Sequence, residues 1–166
     1  MKMRVVRLGF MALVISGLVA VAAAQPPPTT SGGSGMALLN LDNTVALHGY
    51  DPVAYFTRNR AVKGKKWIVQ HLGGAQYRFA SRRDRYEFLR DAPRYQPQFG
   101  GYCATSLAMG RLEDIDPELF VIFDGKLYLF NNPENQAMFL RDPRRTIYEA
   151  RQHYFKLATE RRRGTY

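Results

Sequence analysis

Residues 119–130, LFVIFDGKLYLF, decide the fold class that this sequence predicts. Two short apolar runs flank Asp124-Gly125, a dipeptide that strongly favours the two-residue turn of a β-hairpin. A second pair of runs, WIVQHL (67–72) and QYRFA (76–80), flanks Gly73-Gly74-Ala75. This second pattern predicts a hairpin with a three-residue loop. We therefore expect short antiparallel hairpins to form the β part of the fold.

Helix starts are marked by polar capping residues. Ser81 precedes a helical segment, 82–90, with Asp84 at the third position as in a capping box, and we expect Tyr86 and Leu89 to share its packed face. Asn132-Pro133 and Asp142-Pro143 each place a capping side chain before a proline, which predicts two further helices. In the last helix four residues recur at helical spacing and predict one buried stripe: Ile147, Ala150, Tyr154 and Leu157.

Composition limits the class of protein. The chain has 166 residues, of which 46% are apolar, so it has enough apolar residues for one packed core and is not intrinsically disordered. Its one cysteine excludes an internal disulfide, and one cysteine with three histidines excludes an array of zinc fingers. The expected fold is α+β: a small single domain of short antiparallel hairpins packed with helices, ending in an amphipathic C-terminal helix.

The first 24 residues have the pattern of a secretory signal peptide. Three basic residues precede an apolar run, and Ala22-Ala23-Ala24 supplies a small-residue cleavage site. Residues 25–35, QPPPTTSGGSG, have the composition of a tether, so the folded domain is expected over 36–166. An uncleaved membrane anchor is the alternative for the apolar run. In both cases we expect an exported protein, periplasmic or secreted.

Several blocks of sequence, in matching order, resemble the YHS-domain family in its exported bacterial branch. The blocks are HGYDPVAYF (48–56), YRFAS (77–81), the pair Tyr86 and Phe88, APRYQPQFGGYCA (92–104) and DGKLYLF (124–130). The similarity extends from about residue 45 to about residue 150, and it implies a YHS-like fold.

The resemblance also implies a relation to cysteine-rich, metal-handling domains of copper-transporting ATPases and metal sensors. Those domains carry one cysteine just after Asp-Pro-Val and a Cys-x-x-x-Cys pair after the next strand. The matching positions here are Ala54, Ala80 and Asp84. The family's thiolate site is therefore absent, and Cys103 is the one thiol that remains.

Three side chains could form a different soft metal site. Cys103 follows two glycines and opens a predicted helix, where its thiol would favour the thiolate. His48 lies just before a predicted turn, and Met109 follows Cys103 by six residues. Thiolate, imidazole and thioether suit Cu(I), so copper is the expected metal, held by a non-catalytic carrier or buffer. The alternative is that these side chains only pack, as a lone cysteine commonly does.

A second hypothesis is a structural or interaction module that has lost the metal site. Such a module would bind a small ligand or a protein partner through a surface that includes Tyr50, Tyr55 and Tyr102. Asp51, before Pro52, is interpreted as a turn or capping residue beside this surface. An enzyme is disfavoured, because the chain lacks a phosphate loop, HExxH and GxSxG, and no family signature accompanies Cys103 and His48.

The charge of the chain favours anionic partners. The formal net charge is +10, and +7 remains after residues 1–24, which contain three of the basic residues and no acidic one. For an exported protein, an anionic envelope surface or an envelope protein is a more plausible partner than nucleic acid. Solubility alone is the simpler explanation of the same charge.

Overall fold

The computed structural model describes residues 38–164; the predicted signal peptide (1–24), the predicted tether (25–35) and the start of the expected domain lie outside them. The described chain contains two small sheets, whose strands are β1 (Leu41–Asp42), β2 (Val45–Ala46), β3 (Lys65–Leu72), β4 (Ala75–Phe79), β5 (Asp116–Phe123) and β6 (Lys126–Phe130). Its α-helices are α1 (Pro52–Arg58), α2 (Arg82–Arg90), α3 (Ala92–Tyr95), α4 (Ala104–Ala108), α5 (Pro133–Arg141) and α6 (Pro143–Arg162). Short 3-10 turns occupy Leu47–Gly49 and Gln98–Gly101. The predicted α+β class is confirmed.

The first sheet has the strand order β1-β2-β4-β3. Strands β3 and β4 pair antiparallel as predicted, whereas β2 joins β4 in parallel through the pair Val45 and Gln76. The prediction of a three-residue loop is wrong. Leu72 pairs with Ala75, which is buried in the sheet, so Gly73 and Gly74 alone make the turn, both with positive φ. This geometry fits the twist of a two-residue hairpin.

The second sheet is the predicted hairpin of β5 and β6. Phe123 pairs with Lys126 across Asp124 (φ 48°) and Gly125 (φ 68°), a two-residue turn with both backbones in the left-handed region. Strand β6 is buried over Leu127–Phe130, and Phe130 packs on Phe139 of α5 with ring centroids 5.1 Å apart. The hairpin therefore forms the centre of the core.

The predicted helix caps are confirmed. Ser81 Oγ accepts from the Asp84 amide at 3.1 Å, Asn132 accepts from the Asn135 amide and Asp142 from the Arg145 amide. Ala150 is fully buried on α6, and the other three residues of the predicted stripe are half-buried.

The predicted packed face of α2 is wrong. Tyr86 is 61% exposed and Leu89 is 51% exposed, whereas Phe88 and the capping carboxylate Asp84 point inward. Phe88 packs on Tyr77 and Phe79 of β4, with centroid distances of 4.9 and 5.2 Å. The helix is therefore rotated relative to the apolar pattern, and two large apolar side chains are exposed to solvent.

The long helix α6 is tied to the beginning of the described chain. The hydroxyl of Tyr154 donates to the carbonyl of Leu38 at 2.8 Å. None of the helices within 38–164 combines the length and the apolar character that crossing a bilayer requires.

Candidate functional site

Cys103 lies inside the protein, at the N-terminus of α4. It is fully buried, and its sulfur is 3.1 Å from the Ser106 hydroxyl and 3.4 Å from Asn131 Oδ1. Asn135 Nδ2 also approaches the sulfur at 3.8 Å. The thiol is therefore one member of a closed polar cluster rather than a group open to solvent.

Glu113 completes this cluster. Its carboxylate accepts from Ser106 Oγ and Asn131 Nδ2, each at 2.6 Å, and from Arg111 Nε at 2.8 Å. The hydrogen bonds from Ser106 and Arg111 hold the pKa of Glu113 below its usual range. Because Glu113 accepts from donors on α4 and on the residue that follows β6, it links these two parts of the fold.

His48 is bonded to the next carboxylate along the chain. Its Nε2 lies 2.7 Å from Asp114 Oδ1, and Asn40 Nδ2 donates to the same oxygen at 2.7 Å. Burial alone would raise the pKa of Asp114, but the hydrogen bonds from Asn40 and His48 hold it below its usual range. His48 thus binds the Asp114 carboxylate, whereas the neighbouring Glu113 carboxylate belongs to the cluster around Cys103.

The third expected copper ligand is also separate. Met109 ends α4, is 43% exposed, and has its sulfur 3.9 Å from the cationic guanidinium of Arg111. Within residues 38–164, no group of three or more histidine, cysteine, aspartate or glutamate side chains could hold a metal ion. Each of the three expected copper ligands therefore has different partners: Ser106 and Asn131 for Cys103, Asp114 for His48 and Arg111 for Met109.

The three tyrosines that were expected to share one surface have different surroundings. Tyr55 is buried in the core, where its hydroxyl donates to the Pro117 carbonyl at 2.9 Å and its ring meets Phe120 edge-on. Tyr102 is half-buried and donates to the Leu39 carbonyl at 3.2 Å. The Lys63 ammonium lies over the ring of Tyr50, 4.2 Å from its centroid. These hydroxyls and rings mainly hold the fold together.

Two histidines outside these clusters also have defined places. His71 is exposed on β3, an edge strand of the first sheet. His153 is half-buried beside Gly110, and its Nδ1 is buried without a hydrogen-bond partner in the described part of the chain.

Asp51 is the most constrained of the predicted site residues. It is fully buried and caps α1, accepting from the Val53 amide at 2.9 Å through one oxygen. Its other oxygen accepts from the Ala80 amide, at the end of β4, at 2.8 Å. The predicted capping role is confirmed, and the same carboxyl also joins α1 to the first sheet.

A second carboxyl lies against Asp51. Asp84 of α2 accepts from Arg58 Nη2 and from Ser81 Oγ, each at 2.7 Å, and shares a hydrogen bond with Asp51. Burial would raise the pKa of Asp84, but the bonds from Ser81, Arg58 and Asp51 lower it. Burial, together with the neighbouring Asp84 charge, raises the pKa of Asp51 to about 6. Asp84 is thus the first of the pair to ionise, and Asp51 keeps its proton until the pH rises through about 6.

The carboxyl pair adjoins a surface cavity of about 480 Å³. The cavity, named here the Arg58 cavity, lies between the end of α1 and the beginning of α2, and it is lined by Thr57, Arg58, Ser81, Arg83, Asp84, Glu87 and Tyr95. Asp51 lies beneath this lining, bonded to Asp84. The cavity lining therefore combines two guanidinium groups, three hydroxyls and two carboxylates, of which Asp84 is fixed by Arg58 and Ser81.

The charges of the Arg58 cavity are unevenly compensated. Asp84 pairs with Arg58, and Glu87 pairs with Arg90 at 3.3 Å. Within residues 38–164, no carboxylate forms an ion pair with Arg83. The cavity therefore presents one uncompensated guanidinium to a ligand.

The carboxyl pair predicts an unusual titration. The Asp51 carboxyl should titrate with a midpoint near pH 6, about two units above an ordinary aspartate, because its charged form is desolvated beside Asp84. Protonation of Asp51 stabilises the folded state. This stabilisation is fully present below about pH 4 and is lost as the pH rises through about 6. Carboxyl ¹³C NMR of the assigned protein measures the midpoint directly.

Asp84→Asn is the matched variant for this titration. Removing the neighbouring charge should lower the Asp51 midpoint, although burial should keep it above the ordinary value. An Asp51 midpoint near 4 in the unmodified protein would contradict the effect of burial and of the Asp84 charge on this carboxyl.

Comparison of the chain with models of known protein families, with curated proteins and with solved structures gives no significant match.

Proposed function

We propose that this protein is a non-catalytic module that binds a small organic carboxylate in the Arg58 cavity. The observation that carries the proposal is the position of Arg83, an unpaired guanidinium on the same wall as the Arg58–Asp84 ion pair. A planar guanidinium recognises a carboxylate with two parallel hydrogen bonds, which is stronger and more specific than attraction to a point charge. The function is therefore closest to the second hypothesis from the sequence, a module without a metal site that binds a small ligand.

The rigid base of the cavity supports ligand binding. Arg58 is held by Asp84, Asp84 is held by Ser81 and by Asp51, and Asp51 is held by two backbone amides. A site whose side chains are already positioned loses less conformational entropy when a ligand binds. The carboxyl pair thus orients Arg58 without contacting the ligand.

The lining favours binding rather than catalysis. The residues around the cavity include neither histidine nor cysteine, and the Ser81 hydroxyl is engaged with the Asp84 carboxylate and amide. The thiol of Cys103, the strongest nucleophile in the chain, is enclosed in its own polar cluster. No nucleophile is therefore paired with a base at this cavity.

A titration followed by amide NMR tests the proposal. Succinate, with acetamide as a neutral control at equal ionic strength, is added to the protein. Saturable shifts are expected at residues 57–58 and 81–87 with succinate, with a dissociation constant of about 1 mM or lower, and none with acetamide. Saturable shifts confined to another part of the molecule, or equal responses to both compounds, would refute the assignment to this cavity.

A further inference from the structure

One face of the protein combines exposed apolar side chains with positive charge. Along α2, Arg82, Arg85, Tyr86 and Leu89 are spaced as neighbours on one helix face, and all four are exposed. Beside them on β3 lies Trp67, which is 78% exposed. This set, named here the Trp67 face, is separate from the lining of the Arg58 cavity.

Arg85 links α2 to β3, the two elements of the Trp67 face, by hydrogen bonds. Its Nε donates to the Val69 carbonyl at 2.8 Å, and its Nη2 donates to Gln70 Oε1 at 3.0 Å. A cavity of about 490 Å³ lies between the elements, lined by Trp67, Ile68, Val69, Arg82 and Arg85. Aromatic and cationic groups are thus presented by one fixed surface rather than by independent segments.

The sequence around the Trp67 face is rich in positive charge. Residues 52–83 contain eight Lys and Arg and no Asp or Glu, and Lys65 and Lys66 directly precede Trp67. On α2, Asp84 is buried and Glu87 is paired with Arg90. An uncompensated positive surface attracts polyanions and anionic bilayers.

The exposed apolar residues favour the bilayer among anionic partners. Tryptophan and tyrosine concentrate at membrane interfaces, where the ring body lies among acyl chains and the polar group stays at the headgroups. Trp67, Tyr86 and Leu89 supply apolar area that a soluble polyanion would leave in water. Within residues 38–164, no strand pairs with the outer edge of β3 and nothing covers this area.

We propose that the Trp67 face docks the protein on a membrane surface rich in anionic lipids, with Trp67 at the interface and the surrounding lysines and arginines on the headgroups. The inference is independent of ligand binding in the Arg58 cavity. It gives the excess of basic residues a specific role beyond solubility.

Tryptophan fluorescence tests the inference directly, because Trp67 is the single tryptophan of the chain. With vesicles of phosphatidylglycerol and phosphatidylcholine, we expect a blue shift of the emission that saturates with lipid and reverses with added salt. With vesicles of pure phosphatidylcholine the spectrum should stay unchanged. Emission that stays unshifted with the anionic vesicles would overturn the proposal.

Matched variants separate this face from the remaining surface in co-sedimentation with the same vesicles. Arg82→Gln should weaken partitioning about fivefold, and Lys66→Gln by a similar factor. Trp67→Ser should weaken it as well, while Arg144→Gln and Phe155→Ser, at exposed positions on α6, should not. Circular dichroism checks that each variant is folded.

Binding of a soluble polyanion tests the alternative that the Trp67 face recognises negative charge without a membrane. Polyphosphate at equal phosphate concentration should bind through the same arginines without a blue shift of Trp67, and more weakly than the vesicles. If polyphosphate binds as tightly as the vesicles and Trp67→Ser leaves vesicle binding unchanged, the face recognises charge alone, and membrane docking is refuted.

Discussion

We expect Asp51→Ala to lower the free energy of unfolding by about 2–4 kcal/mol. This is one of the two largest effects that we predict for a single substitution. The change removes the cap of α1 and leaves the amides of Val53 and Ala80 without their acceptors. It also releases Asp84 from the hydrogen bond that the two carboxyls share. Unfolding in urea, followed by circular dichroism, measures the loss.

Asp142→Ala is the matched control for this substitution. Asp142 also caps a helix, but at the exposed start of α6 and with one amide, that of Arg145. Its loss should cost about 1 kcal/mol, the ordinary value of a surface cap. Equal destabilisation by the two substitutions would mean that the link from Asp51 to β4 adds nothing.

Gly100→Ala has the second large expected effect, also a loss of about 2–4 kcal/mol. Gly100 has a φ of 64°, and a Cβ placed on it would lie 1.8 Å from the Leu38 carbonyl oxygen. That oxygen accepts from the Tyr154 hydroxyl, and the Asn40 amide donates to the Gly100 carbonyl. The added methyl group must therefore push residues 38–40 away from the loop and break their bonds to it.

Gly74→Ala separates backbone strain from this steric clash. Gly74 has an even larger φ, 86°, but a Cβ there would have no atom within 4 Å. Its substitution should cost about 1 kcal/mol, the penalty for a left-handed alanine alone. Comparable unfolding midpoints in urea for the two variants would contradict the close approach of Leu38 to Gly100.

Local signals predicted much of the fold. The hairpin at Asp124-Gly125 and the caps at Ser81, Asn132 and Asp142 each depend on a few neighbouring residues, and all are present in the structure. The loop at Gly73-Gly74 was predicted one residue too long because alanine is acceptable both in a turn and in a strand. Pairing across the sheet, which no local pattern contains, places Ala75 in β4.

The face of α2 was mispredicted because a carboxylate occupies a buried position. Asp84 is directed inward by Arg58 and Ser81, so Phe88, one turn further, points inward with it. Tyr86 and Leu89 are then left exposed. An apolar pattern alone cannot reveal this rotation, since the bond from Arg58 spans 26 residues of sequence.

Local sequence patterns also fail to predict the tertiary contacts of the site residues. The capping role of Asp51 follows from the adjacent Pro52, but its bond to Ala80 and its raised pKa beside Asp84 depend on tertiary contacts. Similarly, the sequence offered Cys103 and His48 as partners for each other. The structure holds each with a different acidic residue, Glu113 in the cluster around Cys103 and Asp114 at His48. Two carboxylates adjacent in sequence were the missed signal.

Whether the Arg58 cavity binds a carboxylate can be measured directly, as the affinity for succinate of matched arginine variants followed by amide NMR. Arg83→Gln removes the unpaired guanidinium from an exposed helix position, and Arg141→Gln removes an equally exposed one from α5, outside this lining. We expect Arg83→Gln to weaken binding about tenfold or more, a change of about 1.4 kcal/mol, and Arg141→Gln to leave it unchanged. Equal affinities of the two variants for succinate would contradict a carboxylate site at the Arg58 cavity.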